Sequence, residues 1–176
     1  DSGWVSASHL ENAVTMLEKF VEYHRESKRT VVDAEIRFDV KLGRARIRGS
    51  VDRLEVEADG SLFIIDFKTG GAAISLKEAK ENLQLASYQV GIAEGGFTQG
   101  NISAGAELVY LGTSTAGATL RPQHVIDVEA TKEKLNEIAE GMGAAHFFAT
   151  VNKRCKGCPV RKSCPVQNDG RTVIEK

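Results

Sequence analysis

Long hydrophobic runs are missing from the 176 residues of this chain. No apolar segment approaches the roughly 18 residues that a membrane-spanning helix needs. No positively charged, apolar signal-peptide pattern opens the sequence either. We therefore expect a protein that neither spans nor attaches to a membrane.

Cysteine is also scarce, with only three residues, and all of them lie between positions 155 and 164. An odd number packed into ten positions is not the pattern of a secreted disulfide framework. The spacing instead indicates a metal or cluster site in a protein of the reducing cytoplasm.

A surplus of positive charge, which nucleic-acid-binding domains usually carry, is absent. The net charge is −1, from 23 basic and 24 acidic residues. The charge is nevertheless uneven, because basic residues gather in two segments. These are Lys41, Arg44, Arg46, Arg48 and Arg53, and then Lys153, Arg154, Lys156, Arg161 and Lys162. A solvated strand face would explain the first cluster as well as a binding role would.

The hydrophobic pattern predicts one domain with a mixed sheet flanked by helices, which is an α/β fold. The order is helix, three antiparallel strands, helix, strand and helix. The predicted helices are 4–27, 75–94 and 129–149, and the predicted strands are 31–40, 44–57, 62–68, 107–112 and 123–128. An Asp-Gly turn at 58–61 joins the second and third strands, and Ser75 with Glu78 forms a capping box.

The third predicted strand, 62–68, is almost continuously apolar, so we expect it at the centre of the sheet. Two charged residues end this strand, Asp66 and Lys68, and their spacing sends both side chains to one face. An isolated buried charge would cost several kcal/mol, and mutual pairing would explain these two. It would not explain Asp52, which lies on the neighbouring strand of the same hairpin.

Asp52 and Asp66 can lie close together across the ladder, where two carboxylates repel each other unless a cation lies between them. Carboxylate oxygens suit Mg²⁺ or Mn²⁺, which also bind phosphates. Lys68 beside such an ion would orient water or stabilise charge on a phosphate. Glu35, on the polar face of the preceding strand, is either a further ligand or an ordinary solvated residue. The chemistry predicted is hydrolysis of a phosphodiester bond.

These residues resemble the motif of the PD-(D/E)xK nucleases, and the RecB-type branch matches best. The matching positions are Asp52 in a Gly-x-x-Asp-Arg setting, Asp66 and Lys68 followed by Thr-Gly, and Gln84 with Tyr88 four residues later. The resemblance implies that the two aspartates hold the catalytic metal and that the lysine is essential for cleavage. It places Gln84 and Tyr88 beside the active site, in contact with it or with DNA.

The three cysteines carry a second resemblance, because Cys155, Cys158 and Cys164 have the spacing found in RecB-type nucleases of the AddB and AdnB kinds. That resemblance implies a [4Fe–4S] cluster, whose fourth cysteine would lie before residue 1. The alternative is structural zinc held by the three thiolates and a histidine such as His146. Oxidation of two cysteines to a disulfide after loss of the cluster is a further alternative.

The resemblance implies a domain over residues 1–165 that lacks its N-terminal part, with the cysteine-rich tail at 150–165 and a disordered segment at 166–176. RecB-type domains carry a metal-binding histidine in a Gly-x-x-x-His setting, and neither His9 nor His24 has that glycine. We therefore expect both to be surface residues, and the activity of this chain alone to be in doubt.

The arrangement is similar to the C-terminal nuclease domain of actinobacterial AdnB-like or related UvrD-like helicases. The partners implied are DNA, attached helicase domains and a second helicase–nuclease subunit, in double-strand-break repair or recombination. Two alternatives stay open: a non-catalytic scaffold of the same fold that binds DNA or a partner subunit, and a structural zinc protein.

Overall fold

The computed structural model describes residues 3–167. The chain divides into two compact units, of which the first ends at Asn136 and the second begins at Glu137. The first unit contains the sheet and its flanking helices. Among the described residues, the second contains the end of the last α-helix and two short 3-10 helices, Lys153–Gly157 and Arg161–Ser163.

Five strands form one mixed sheet in the order β1-β2-β3-β4-β5, in which only the β3–β4 pair is parallel. The strands are β1 (Thr30–Leu42), β2 (Ala45–Val56), β3 (Leu62–Lys68), β4 (Ser103–Tyr110) and β5 (Thr119–Gln123). The helices are α1 (Gly3–Glu26), α2 (Leu76–Lys80), α3 (Leu83–Ala93) and α4 (Val128–Gly143). The predicted α/β class is confirmed, and no helix of the described chain is long and apolar enough to span a membrane.

Strand β3 is the central strand, as its continuous apolar sequence predicts, because both faces are covered. Ile64 belongs to the hydrophobic cluster that includes Tyr88 of α3. Ile65, the next residue, belongs to a second cluster together with Phe20 of α1. The parallel pairing of β3 and β4 requires a crossover, and α2 and α3 lie within it. The crossover brings α3 over the face on which Asp66 lies.

The helix predicted over 75–94 is in fact two helices, because the chain breaks at Glu81 and Asn82. The capping box of Ser75 and Glu78 is present and begins α2. Asn82 then begins α3, since its side-chain oxygen accepts a hydrogen bond of 3.0 Å from the backbone nitrogen of Leu85. Asparagine favours such caps over helix interiors, so its position was the signal for the break.

Three other predicted boundaries were wrong. Strand β4 begins at Ser103 rather than 107, and α4 ends at Gly143 rather than 149. The last strand is Thr119–Gln123 rather than 123–128. Pro122 lies within it, and a proline is tolerated there because β5 is the edge strand of the sheet. Of the tail predicted to be disordered, residues 168–176 lie outside the described part.

The periodic apolar residues of α1 do not all face the sheet. Met16, Phe20 and Tyr23 pack against the second cluster. Four others remain exposed, namely Leu10, Val14, Leu17 and Val21. The sequence period correctly predicted a helix, but it did not distinguish which of two apolar faces contacts the sheet.

Phe38 of β1 fixes the distance between the β1–β2 hairpin and α3. A Cβ atom added at Gly49 of β2 would lie 2.8 Å from its ring, and one added at Gly91 of α3 would lie 2.9 Å from it. The same ring packs edge-to-face against Tyr88, with 5.9 Å between centroids. Hairpin and helix therefore approach as closely as they do because two contact positions have no side chain.

The α1 side of the sheet buries a set of charged groups. Arg53 donates to the fully buried Glu55 through Nε over 2.8 Å, and it forms a second hydrogen bond to the same residue through Nη2. Tyr23 donates to Glu107 over 3.2 Å, and burial is the main reason that the pKa of Glu107 is raised. Buried charges need such partners, and the bond from Tyr23 to Glu107 also holds α1 against the sheet.

Candidate active site

The candidate site lies where the central strand ends. Asp66 of β3 is only 4% exposed. Two residues later, Lys68 points to the same face and forms an ion pair with Asp66 through Nζ and Oδ2. The pairing that the sequence offered as an alternative explanation is therefore present. Oδ2 is buried, and this ion pair with Lys68 is its one contact with a polar group among the described residues.

Helix α3 satisfies the other oxygen of Asp66. Gln84 donates from Nε2 to Oδ1 over 2.9 Å, and the phenol of Tyr88 donates to the same atom over 3.0 Å. Gln84 also donates to the phenol oxygen over 2.7 Å. The spacing of four residues places both side chains on one flank of α3, and that flank faces Asp66.

Asp52 is placed opposite Asp66 by the pairing of β2 with β3. The pairing of Arg53 with Ile65, continued by one residue, makes Asp52 the cross-strand neighbour of Asp66 on the same face. Oδ2 of Asp52 accepts a hydrogen bond of 2.7 Å from the backbone nitrogen of Phe67. The two acids therefore do not point to opposite faces of the sheet.

The pKa of Asp52 reports the charges around it. Burial raises this pKa, the Phe67 N–H lowers it, and the carboxylates of Asp66 and Glu35 raise it further. The Lys68 ammonium lowers it. The net shift is upward, so the fold holds an ionised Asp52 at a cost that a bound cation would remove.

Glu35 lies beside this pair rather than within it. Its side chain is exposed, yet its carboxylate acts on Asp52. Its backbone has a φ of 54°, one of two positive values among non-glycine residues of the described chain. Such a conformation costs of order 1 kcal/mol and is found most often at functional sites. The sequence pattern gave no sign of it, because alternation predicts ordinary strand geometry.

Two acids, an amine and a pair of amide and phenol donors therefore meet at one end of the sheet. No group of three or more His, Cys, Asp or Glu side chains is arranged to hold a metal in residues 3–167. Asp52 and Asp66 suit a divalent cation nonetheless, because they are adjacent and their carboxylates repel each other. Oxygen ligands of this kind match Mg²⁺ or Mn²⁺.

Tyr88 is a donor in this site and not a base. Burial and the Asp66 carboxylate raise the pKa of its phenol to about 12. The phenol keeps its proton throughout the physiological range, and the hydrogen bond to Asp66 persists with it. Tyr88 and Gln84 therefore set the position of the carboxylate.

Sequence reasoning missed Gln123, which supports this site from the edge strand. Its side-chain nitrogen lies within 3.1 Å of the backbone oxygens of Ala79, Lys80 and Asn82, at the break between α2 and α3. The fully buried Gln89 donates to its side-chain oxygen over 3.1 Å. This amide pair fixes the first turn of α3, which carries Gln84. A glutamine in an edge strand has no spacing signature that would have revealed the role.

The remaining predicted residues lie elsewhere. His9 and His24 are exposed on α1, as expected. Cys155, Cys158 and Cys164 are free thiols of intermediate exposure in the second unit. The ring of His146, the alternative zinc ligand, lies 5.8 Å from the ring of Phe148, measured between centroids. In the described part of the chain, the cysteines and a histidine do not form a metal site.

Comparison with known proteins points to one family. The family model described as the PD-(D/E)XK nuclease superfamily matches residues 1–165. Among solved structures, one described as the crystal structure of SSO0001 is similar in fold, with a TM-score of 0.53 and 17% identity. That alignment covers 94% of this chain and 74% of the other. No curated protein matches the sequence at a significant level.

Proposed function

This chain belongs to the PD-(D/E)XK nuclease superfamily, and we propose that it is a Mg²⁺- or Mn²⁺-dependent deoxyribonuclease that hydrolyses phosphodiester bonds. One observation carries the proposal. The buried Asp66 lies between Lys68, whose ammonium pairs with one of its oxygens, and two fixed donors on α3, which hold the other oxygen.

Each residue has a role in this proposal. Asp52 and Asp66 would hold the cation, and Glu35 would add a ligand or a hydrogen-bond acceptor at the exposed side. The cation, when bound, neutralises charge on the phosphate and favours attack by water. Lys68 orients the attacking water or stabilises the developing negative charge. Gln84 and Tyr88 hold the Asp66 carboxylate in one orientation.

The test is cleavage of labelled DNA by the whole chain, with Mg²⁺ or Mn²⁺ added and then removed by a chelator. We expect Asp66→Asn to reduce cleavage to background. Lys68→Ala should lower the rate by about 10²- to 10³-fold, the usual cost of removing one group that stabilises the transition state. Glu129→Gln, an exposed acid of α4, is the matched control and should cut normally.

Calorimetric titration with Mn²⁺ separates the enzyme from a non-catalytic scaffold. The enzyme predicts binding that is lost in Asp52→Asn. If the unmodified chain binds no Mn²⁺ and cuts no DNA, while still binding DNA, the scaffold is the better description. Cleavage that survives Asp66→Asn would show that the site has been wrongly assigned.

The three cysteines lead to a further part of the proposal. The chain supplies three thiolates, and a [4Fe–4S] cluster normally takes four. We therefore propose that Cys155, Cys158 and Cys164 hold the cluster together with a cysteine outside these 176 residues. Iron and sulfide analysis of a longer protein, with Cys158→Ser as the control, tests this. Zinc without iron would support the structural zinc site instead.

The cysteine spacing and the acid–lysine motif also support a place in a helicase–nuclease that processes DNA double-strand breaks in the cytoplasm. Attached helicase domains and a second subunit would deliver the strand to the site. The expected result is that Asp66→Asn in the full-length protein abolishes cutting and leaves ATP-driven unwinding intact. Absence of any unwinding in the unmodified full-length protein would rule out the helicase context.

A further inference from the structure

The β1–β2 hairpin presents one apolar face and one basic face. The apolar side chains of Phe38, Val40 and Leu42 are buried. The alternate residues are exposed and are paired across the ladder, Arg37 with Ser50, Asp39 with Arg48, and Lys41 with Arg46. Directly paired residues share a face, so four cations lie side by side on the outer surface of the hairpin.

This basic face, defined by Arg37, Lys41, Arg46 and Arg48, carries little opposing charge. Asp39 is the one acid between positions 37 and 50, and Arg46 pairs with it through two hydrogen bonds of 2.7 and 2.6 Å. Arg44 in the exposed turn adds a further cation. Five basic residues against one acid contrast with the net charge of −1 for the whole chain. This surface therefore carries a local excess of positive charge.

Arg53, which the sequence grouped with this basic cluster, does not belong to it. Its guanidinium is buried on the α1 side and bound to Glu55. Arg37 takes its place, because the pairing of β1 with β2 brings it to the same face. The structure thus separates a structural arginine from a set of cations that face solvent.

The basic face ends near the candidate active site, although it faces away from α3 and the acids lie on the α3 side of the sheet. Arg37 is two residues after Glu35, and Arg48 is four residues before Asp52. At about 3.3 Å per strand residue, the nearest cation of each strand lies within about 13 Å of those acids along the chain. The other cations continue away from the site toward the turn. A polyanion that follows the hairpin would therefore come close to the acids at one end, beside the exposed Glu35 of the edge strand.

Protection of an exposed strand edge is a second role that these cations could have. Edge strands often carry lysine or arginine to prevent pairing with another chain, which would account for Arg37 and Lys41 on β1. Strand β2 pairs with β3 only over residues 53–56, so Arg46 and Arg48 also lie where β2 has β1 as its one neighbouring strand. The two roles are compatible, and only a binding role predicts affinity for a polyanion.

We propose that this face binds the phosphate backbone of the nucleic-acid strand that enters the active site. The inference rests on the proposed nuclease function and names the surface that guides its substrate. No aromatic side chain lies on the exposed face between residues 37 and 50, since Phe38 is buried. Base stacking is therefore not available there, and the contact is electrostatic, insensitive to base sequence and sensitive to salt.

The test is equilibrium binding to a labelled DNA oligonucleotide in chelator, so that no cleavage is required. The variant is Arg37→Gln with Arg48→Gln, which removes both charges, keeps polar side chains and leaves the Asp39–Arg46 pair intact. The matched control is Arg25→Gln with Lys80→Gln, two exposed cations on α1 and α2 with the same loss of charge. Thermal melting of all three proteins checks the fold.

We expect the hairpin variant to bind DNA about tenfold more weakly than the unmodified chain does at 0.1 M salt. Loss of two phosphate contacts should lower the slope of log affinity against log salt by about 1.4 for a single strand. Single-stranded and duplex probes show which form the face prefers, and a change of base sequence should have no effect. The control should bind as the unmodified chain does.

Equal binding by the hairpin variant and the unmodified chain, or a loss of the same size in the control, would overturn the inference. So would undetectable binding by the unmodified chain at low salt. Failure of the nuclease proposal looks different, because the hairpin variant would then lose binding while no protein cuts DNA.

Discussion

Tyr88 donates a hydrogen bond of 3.0 Å to Asp66, across 22 residues of sequence, and so attaches the acid at the end of the central strand to helix α3. The contact depends on the crossover that carries α3 over the parallel β3–β4 pair. It also depends on a phenol that stays protonated, which the raised pKa of Tyr88 ensures.

Removing that hydroxyl should therefore impair the site without unfolding it. In Tyr88→Phe we expect metal-dependent cleavage to fall by about 10- to 100-fold, as for other residues that orient a metal ligand. The affinity for Mn²⁺ should fall with it. The control is Tyr110→Phe, another buried tyrosine of the same core cluster. Equal activity in both variants would show that the Tyr88 hydroxyl does not position Asp66.

Asp52 makes stability depend on pH in a predictable direction. Its pKa is raised in the folded protein, mainly by burial and then by neighbouring carboxylates. Its protonated form therefore favours folding at pH values below the unfolded pKa, and this contribution is lost as pH rises through the folded pKa. Asp52→Asn should melt at a higher temperature than the unmodified chain at neutral pH without metal.

The side chain of Asn in the Asp52→Asn variant can still accept the hydrogen bond from the Phe67 backbone nitrogen. The comparison of the two melting temperatures therefore isolates the effect of the Asp52 charge. The difference in melting temperature should shrink toward about pH 4, where the aspartate is itself protonated. It should also shrink when Mn²⁺ is added at neutral pH. A lower melting temperature for Asp52→Asn at neutral pH would contradict this account.

Two arginines of β2 each pair with a carboxylate, but only one of the two pairs is expected to contribute much to stability. Arg53 binds the fully buried Glu55, and breaking a buried pair usually costs about 3–5 kcal/mol. We expect Arg53→Gln to lower the free energy of unfolding by an amount in that range. Arg46→Gln breaks an exposed pair with Asp39 and should leave stability nearly unchanged. Denaturant unfolding measures the free energy of unfolding of both variants. Equal losses in the two would contradict the conclusion that the Arg53 pair is buried and the Arg46 pair is exposed.

Gln123 should act on the site through the break between α2 and α3. Gln123→Leu leaves the oxygens of Ala79, Lys80 and Asn82 without this donor, and also Gln89 without its acceptor. A loss of about 1–3 kcal/mol in unfolding free energy is expected, the penalty for a buried polar group left unpaired.

Because Gln84 lies in the first turn of α3, cleavage should fall by more than the small change in folded fraction explains. The exposed Gln99→Leu is the control. If the Gln123 variant loses stability but keeps full cleavage, then Gln123 supports the fold and does not position Gln84.

Much of this arrangement was predictable from local pattern. The continuous apolar run of 62–68 identified the central strand, and the spacing of Asp66 and Lys68 identified a shared face. The capping box at Ser75 and the Asp-Gly turn were also correct, because each depends on a few adjacent residues. Gln84 and Tyr88 were placed beside the acids through resemblance and not through spacing.

The parts that could not be predicted depend on contacts between distant segments. The break at Asn82 is stabilised by Gln123, 41 residues later. The exposure of Leu10 and Leu17 on α1 follows from which face of the helix meets the sheet. The separation of Arg53 from its basic neighbours follows from the pairing of three strands. Apart from the asparagine that caps α3, none of these features has a local sequence signal.

The ring of Phe38 makes the site vulnerable at positions that touch no substrate. Gly49 and Gly91 lie against it so closely that a single methyl group at either would displace the ring. Displacement of the ring would disturb Tyr88, which packs against it and donates to Asp66. All the acids and the lysine would still be present in the sequence. A related domain that keeps the acids and the lysine can therefore be inactive. Inspection of the motif residues alone would not reveal this loss of activity.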